Sequence, residues 1–132
     1  MSQLIAFPFQ MKFIDRNTHG FLDYVVFLMI ILSPWLLSYF YGGIETWFPI
    51  VLGVLIIVTS VLTDFDLGIF KIIPMKYHLI IDVTLGSFLA LSPWLLGFSQ
   101  LVYFPHLIFG IIEIALAIIT DPKTILNRDI AH

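Results

Sequence analysis

The sequence predicts an all-α integral membrane protein: a four-helix bundle built from two tandem transmembrane helical hairpins that form a parallel internal repeat. Hydrophobic residues make up 60% of the 132 residues and charged residues only 11%, and the mean hydropathy is +1.03. Four apolar stretches approach the length of about 20 residues that a spanning helix needs. One set of polar side chains also recurs at a constant spacing in the two halves of the chain, which indicates a duplicated unit.

The four apolar stretches cover residues 20–40, 47–63, 78–98 and 103–120. The loops inside the two pairs, 41–46 and 99–102, are short, so each pair is predicted to be an antiparallel hairpin. The chain then divides into an N-terminal segment 1–18, a first hairpin 19–64, a loop 65–77, a second hairpin 78–121 and a tail 122–132. The N-terminal segment and the loop mix apolar with basic residues, a composition typical of the membrane surface.

The two hairpins repeat one another residue by residue. In the first helices the spacing is 59, and the matched residues are His19 with His78, Asp23 with Asp82, and Ser33-Pro34-Trp35 with Ser92-Pro93-Trp94. In the second helices the spacing is 57, and it matches Gly53 with Gly110 and Thr63-Asp64 with Thr120-Asp121. Both glycines are expected to let helices approach closely.

The cations predict the orientation in the membrane. All six Lys and Arg residues lie outside the two hairpin loops; they are Lys12, Arg16, Lys71, Lys76, Lys123 and Arg128. The positive-inside rule therefore places both termini and the loop 65–77 in the cytoplasm, and both repeats cross the membrane in the same direction. The partner that this surface implies is the lipid bilayer, and no basic stripe indicates a nucleic acid.

The Ser-Pro-Trp runs predict a helix kink and an anchor at the membrane interface. Pro34 and Pro93 each free the carbonyl four residues earlier. Ser33 and Ser92 are placed to bond that carbonyl or a neighbouring helix. Trp35 and Trp94 follow near the expected outer aromatic belt, so we favour a structural role over a ligand site.

With these doubled motifs, the chain resembles the SPW-repeat family of small bacterial integral membrane proteins over about residues 19–120. The resemblance implies a multi-pass protein of the bacterial inner membrane, with the motif in the first helix of each hairpin. It implies no established activity. The number of helices is also similar to that of DoxX-like quinone-linked proteins, which adds a quinone to the conceivable ligands.

His19 and Asp23 are four residues apart, as are His78 and Asp82, so each pair shares one helix face. All four side chains are expected to converge at the cytoplasmic end of the bundle. They would suit zinc, manganese or ferrous iron. Alternatively, the two histidines would ligate a haem b iron, with each aspartate holding the second nitrogen of its histidine. The competing interpretation is that these polar groups only hold the helices together.

Glu113 is predicted near the bilayer midplane, where an ionisable side chain indicates function by default. Its mate in the first repeat is Ile56, so this carboxyl group breaks the symmetry. Together with His106, two turns away, it would form a proton or cation path. The alternative is a neutral Glu113 that is hydrogen-bonded to Thr84 or Ser87.

Three functions stay open at this level: a binding module for a metal, haem or quinone, a small transporter or proton-conducting protein that uses Glu113, and a structural or assembly subunit of a membrane complex. No nucleophile elbow, phosphate-binding glycine loop or dinucleotide fingerprint indicates an enzyme. The absence of cysteine excludes disulfides and thiolate metal sites. Self-association is compatible with so small an extramembrane surface.

Overall fold

The computed structural model describes residues 13–123. This range contains four helices: α1 (Arg16–Leu36), α2 (Ile44–Leu62), α3 (Met75–Leu95) and α4 (Phe104–Ile119). Within it the extended pairing is limited to two isolated bridges, so the all-α prediction is confirmed. Most of the predicted N-terminal segment 1–18 and of the tail 122–132 lies outside the described residues.

Three of the helices, α1, α2 and α3, are long and apolar enough to cross a membrane. The fourth, α4, is apolar but has only 16 residues, which span about 24 Å. The outward faces carry large apolar side chains, among them Phe21, Leu28, Val51, Phe88 and Trp94. Such a continuous apolar surface is stable in lipid and would aggregate in water. The protein is therefore a multi-pass membrane protein.

The first helix of each hairpin begins and ends earlier than predicted. In α1 the carboxylate of Asp15 accepts a hydrogen bond from Thr18 N at 2.6 Å, which starts the helix at Arg16 rather than at residue 20. The helix ends because Ser38, just beyond it, adopts a left-handed φ of 58°. In α3 the start follows Pro74, and Gly97 provides the left-handed residue with φ 77°.

The helices form a ring in which each one packs against two neighbours. The hairpin contacts are α1 with α2 and α3 with α4, and the ring closes through α2 with α3 and α1 with α4. Helices α1 and α3 therefore face one another across the bundle axis. The main apolar core lies along this axis and consists of Phe27, Ile30, Leu52, Ile56 and Leu89.

Two backbone pairings, which we call the clasps, close the end of the bundle where α1 and α3 begin. In the first clasp, Ile14 N donates to Ile119 O at 3.1 Å and Asp121 N donates to Ile14 O at 2.9 Å. In the second clasp, Ile73 N donates to Leu62 O at 2.8 Å and Asp64 N donates to Ile73 O at 2.9 Å. The residues of one clasp correspond to those of the other at the repeat spacings of 59 and 57. Each clasp joins the start of one hairpin to the end of the other.

The Ser-Pro-Trp runs occupy the last turn of α1 and α3 rather than a mid-helix kink. Ser33 Oγ donates to Ile30 O, and Ser92 Oγ donates to Leu89 O, both at 2.7 Å. These are the two carbonyls that the prolines free, so the expected serine bond is present. Trp35 and Trp94 point outward and are about half exposed.

The two matched glycines have different surroundings. A Cβ on Gly110 would lie 2.4 Å from Gly86 O and 2.5 Å from Ala90 N, both backbone atoms of α3. A Cβ on Gly53 would meet the side chain of Ile31 at 2.7 Å. Both glycines therefore lie where a neighbouring helix comes close, α1 at Gly53 and α3 at Gly110, and only at Gly110 is the nearest atom a backbone atom.

Candidate metal centre

The four side chains that recur in the sequence meet on the bundle axis; we call His19, Asp23, His78 and Asp82 the quartet. All four are fully buried. Each pair lies in the first two turns of its helix, and α1 and α3 face one another, so the pseudo-twofold axis brings the pairs together. The two aspartates lie about 10 Å from the start of their helices, roughly two turns into the bundle.

Within the quartet, histidine and aspartate alternate around a closed ring. His19 Nε2 lies 3.1 Å from Asp23 Oδ1 and 2.9 Å from Asp82 Oδ2. His78 Nε2 lies 2.7 Å from Asp23 Oδ2 and 3.0 Å from Asp82 Oδ2. One ligand atom from each residue can be chosen so that all four lie within 4.8 Å of one another. Both imidazoles therefore present the same nitrogen to the same two carboxylates.

Two threonines, one at the end of the second helix of each hairpin, determine which imidazole nitrogen faces the aspartates. The hydroxyl of Thr120 donates to Leu116 O, and that of Thr63 donates to Thr59 O, both at 2.6 Å. A hydroxyl has a single proton, so each threonine oxygen must accept from the histidine Nδ1–H that it faces. These distances are 2.8 Å for His19 with Thr120 and 2.9 Å for His78 with Thr63. The Nδ1 protons are thereby assigned, and both Nε2 atoms face the aspartates.

Each threonine that holds a histidine comes from the other hairpin. Thr63 of α2 holds His78 of α3, and Thr120 of α4 holds His19 of α1. Both threonines also lie in the clasps, where they form the isolated bridges with Ile73 and Ile14. Their recurrence is visible in the sequence, but nothing there indicates that they contact the histidines of the opposite repeat.

The electrostatics of the quartet require positive charge between the Nε2 atoms and the carboxylates. Two protons, one on each Nε2, provide it, and so does one divalent cation with both imidazoles neutral. Either arrangement balances the two aspartate charges. Charges this deeply buried are tolerated only when they are compensated in this way.

A family model described as the SPW repeat domain matches residues 17–120. The chain belongs to the SPW-repeat family. No curated protein and no solved structure matches the chain. The match covers both SPW repeats and confirms the family that the doubled motif indicated, but it assigns no chemistry to the quartet.

The SPW repeats differ in the residues that pack behind the quartet. In the first repeat, Ser60 Oγ donates to Asp23 Oδ2 at 3.4 Å; its mate in the second repeat is the buried Ala117. One turn earlier the first repeat has Ile56 and the second has Glu113, both fully buried. Asp23 thus has a neighbouring hydroxyl, whereas the second repeat contributes a third carboxyl group.

Glu113 lies about one turn away from the aspartates of the quartet. Its Cβ faces Gly86, which follows Asp82 by one turn of α3. The expected bonds to Thr84 and Ser87 are absent, which corrects the prediction. Both hydroxyls donate to carbonyls of their own helix, Ile80 O and Val83 O, the usual local bond of Ser and Thr in a helix.

His106 lies apart from Glu113, near the hairpin loops. Its Nε2 donates to Glu45 O at 2.9 Å. Its ring packs between Tyr39 and Phe98, with centroid separations of 5.3 and 4.9 Å. At intermediate levels the core is apolar, with Phe27 and Leu52 buried there. The described residues therefore do not form the predicted polar path through His106 and Glu113.

The quartet does not have the arrangement expected for haem b. The aspartates were expected to hold the second nitrogen of each histidine, but threonines do so. Both Nε2 atoms instead face the two carboxylates, and the imidazole centroids are only 5.5 Å apart. A porphyrin between these rings would have to displace both aspartates, whereas a single small cation would not.

Proposed function

We propose that this SPW-repeat protein is a membrane-embedded binding module for a divalent transition-metal ion. The ligands are Nε2 of His19 and His78 and a carboxylate oxygen of Asp23 and Asp82. The observation that carries the proposal is the pair of Nδ1–H···Thr bonds, which directs both Nε2 atoms at the same two carboxylates. Such a bond to the second nitrogen is the usual support of a metal-ligating histidine.

The distances within the quartet support a small ion. A tetrahedral ion with bonds of about 2.0–2.2 Å holds its ligand atoms about 3.4 Å apart. The four histidine–aspartate distances are 2.7–3.1 Å, so each would have to lengthen by about 0.3–0.7 Å around such an ion. Four-helix bundles commonly build metal sites from inward-facing histidines and carboxylates on facing helices.

Charge and hydrogen bonding also support the proposal. One divalent cation neutralises the two aspartates while both imidazoles stay neutral, which suits a fully buried site. The second oxygen of Asp82, Oδ1, is buried and has no hydrogen-bond partner within residues 13–123, and Asp23 Oδ1 has only the 3.1 Å contact with His19 Nε2. A cation would engage atoms of this kind, and its binding would displace the Nε2 protons.

The module is proposed to lie in the bacterial inner membrane with both termini in the cytoplasm. The support is the distribution of Lys and Arg, which all lie in the segments at the clasp end or beyond it. In this orientation the quartet lies in the cytoplasmic half of the membrane, behind the clasps. Exchange of the ion would then require a clasp to open, so we expect slow release to chelators.

A second candidate is a purely structural role as a helix crosslink or an assembly subunit. The observation that favours it is the length of the Nε2–carboxylate contacts, because 2.7–3.0 Å is normal for a charge-assisted hydrogen bond. Two protonated histidines would complete the ring without any metal. The transporter hypothesis has weaker support, because His106 bonds Glu45 O near the hairpin loops rather than Glu113. The quinone hypothesis is supported only by the number of helices.

The test is the metal content of the full chain purified in mild detergent, measured by elemental mass spectrometry. We expect about one iron, manganese or zinc ion per chain, and less than a tenth of that in His19→Ala/His78→Ala. His106→Ala is the matched control, since it removes a buried histidine outside the quartet and should retain the ion. A wild-type protein without metal, even after growth and refolding with each ion, would support the structural candidate instead.

A further inference from the structure

Beside the quartet, the two repeats depart from twofold symmetry on one face of α2 and α4, and also where Phe27 of α1 corresponds to Gly86 of α3. Ile56 and Ser60 of the first repeat correspond to Glu113 and Ala117 of the second, and all four side chains are fully buried. Helix packing alone does not explain why Glu113 replaces Ile56, because Ile56 fills the equivalent position without a polar group. Glu113 therefore calls for a chemical explanation.

Glu113 is a buried carboxyl group whose two oxygens both lack a hydrogen-bond partner among the residues that the structure describes. Buried polar atoms nearly always have such a partner, so a pair of unpartnered oxygens on one side chain is exceptional. The two nearby hydroxyls that the sequence suggested, those of Thr84 and Ser87, already donate to carbonyls of α3. A role as hydrogen-bonded helix glue is thus unsupported.

The backbone places Glu113 one turn of α3 away from Asp82. Its Cβ packs against Gly86 of α3 so closely that a Cβ on that glycine would be 2.9 Å away. Gly86 lies one turn after Asp82, on the same face of the helix. Glu113 also interacts electrostatically with Asp23, Asp82 and His19. Its carboxyl group is therefore within reach of the ion proposed above by rotation of its side chain.

We infer that Glu113 is a third carboxylate ligand of the metal centre and makes it selective for manganese or ferrous iron over zinc. This inference rests on the proposed function. With an ionised Glu113 the donor set becomes two imidazoles and three carboxylates, which provides five or more ligand atoms and leaves a divalent centre with one net negative charge. Zinc is satisfied by four ligands, whereas carboxylate-rich sites with more ligands suit manganese and ferrous iron.

The test compares Mn²⁺ and Zn²⁺ binding to the full chain in detergent, with Glu113→Ile as the main variant. This substitution introduces the residue that the first repeat carries at the same place, so packing has a precedent in the chain. We expect Mn²⁺ affinity to fall at least tenfold while Zn²⁺ affinity changes less than about threefold. Glu113→Gln, which preserves shape, should give the same direction, and Ile56→Val should leave both affinities unchanged.

Three results would overturn the inference, and they separate it from the proposed function. If Asp23→Asn/Asp82→Asn abolishes metal binding but Glu113→Ile keeps the wild-type ratio of Mn²⁺ to Zn²⁺ affinity, only the role of Glu113 is wrong. If Glu113→Ile and Glu113→Gln weaken both ions equally, Glu113 does not select between them. If the wild-type chain binds neither ion, the metal centre and its third carboxylate fall together.

Discussion

The two SPW repeats carry the same quartet residues and the same clasps but differ in the residues that pack behind the quartet. His19 with Asp23 and His78 with Asp82 have matching positions, and a threonine from the opposite hairpin holds each histidine. Behind them, the first repeat has Ile56 where the second has Glu113. The residues that the two repeats share are sufficient for a symmetric centre with four ligands. The difference between Ile56 and Glu113 therefore indicates a role for Glu113 that a symmetric centre does not require.

The largest expected effect comes from removing one member of the quartet in the metal-free protein. His19→Ala and His78→Ala each leave two buried carboxylates facing a single imidazole. We expect each to lower the free energy of unfolding by about 3–5 kcal/mol, measured by denaturant titration in detergent. The two losses should agree closely, because the repeats are equivalent here. A loss below about 1 kcal/mol in either variant would contradict a compensated ring.

A smaller but asymmetric effect is expected at the matched glycines. Gly110→Ala drives a methyl group into backbone atoms of α3, which cannot move locally, so we expect a loss of about 2–3 kcal/mol. Gly53→Ala meets the flexible side chain of Ile31, and we expect less than about 1 kcal/mol. The same unfolding measurement decides the point. Equal losses would show that the two hairpins pack alike.

The threonines provide a symmetric test of the histidine orientation. Thr63→Val and Thr120→Val preserve shape but remove the acceptor for each Nδ1–H. We expect metal affinity to fall about 10–100-fold in each variant, measured by competition with a chelating dye. Thr84→Val is the matched control, since its hydroxyl bonds only Ile80 O. Unchanged affinity in Thr63→Val or Thr120→Val would contradict the orientation of that histidine.

The starts of the two first helices should differ in their response to acid. Asp15 caps α1, and the hydrogen bond from Thr18 N lowers the pKa of its carboxyl group below the usual 3.8. The cap is therefore fully effective above that value and is lost as the pH falls through the lower folded-state pKa. Asp15→Ala should cost about 1 kcal/mol at neutral pH and less at pH 2.

The mate of Asp15 is Pro74, which has no side-chain cap. Pro74→Ala therefore serves as the control in the same pH series of unfolding measurements. Its effect should not change between neutral pH and pH 2. A loss for Asp15→Ala that is equally large at both pH values would show that its carboxylate does not stabilise α1.

The smallest expected effect is a gain. Ser38 and Gly97 are repeat mates, and both have left-handed backbones at the ends of α1 and α3. Because only glycine adopts this conformation without strain, Ser38→Gly should stabilise the protein by about 0.5–1 kcal/mol. Gly97→Ser should destabilise it by a similar amount. Thermal unfolding in detergent measures both effects. A loss of stability in Ser38→Gly together with a gain in Gly97→Ser would contradict the equivalence of these helix ends.

The repeat made the fold and the quartet predictable, because duplicated polar residues at helical spacing had to share a face. The threonine support was not predictable from the sequence, since it joins residues 101 and 15 positions apart through the clasps. The contact of Glu113 with Gly86 was not predictable either, because it depends on how closely α3 and α4 pack at Gly86 and Gly110.

X-ray absorption at the metal edge of the loaded protein shows which side chains bind the ion. We expect nitrogen and oxygen ligands at about 2.0–2.2 Å and the outer-shell scattering of two imidazoles. Half of that imidazole scattering should disappear in His19→Ala and in His78→Ala alike. An ion without imidazole scattering, or scattering from one histidine only, would contradict a centre shared between the two repeats.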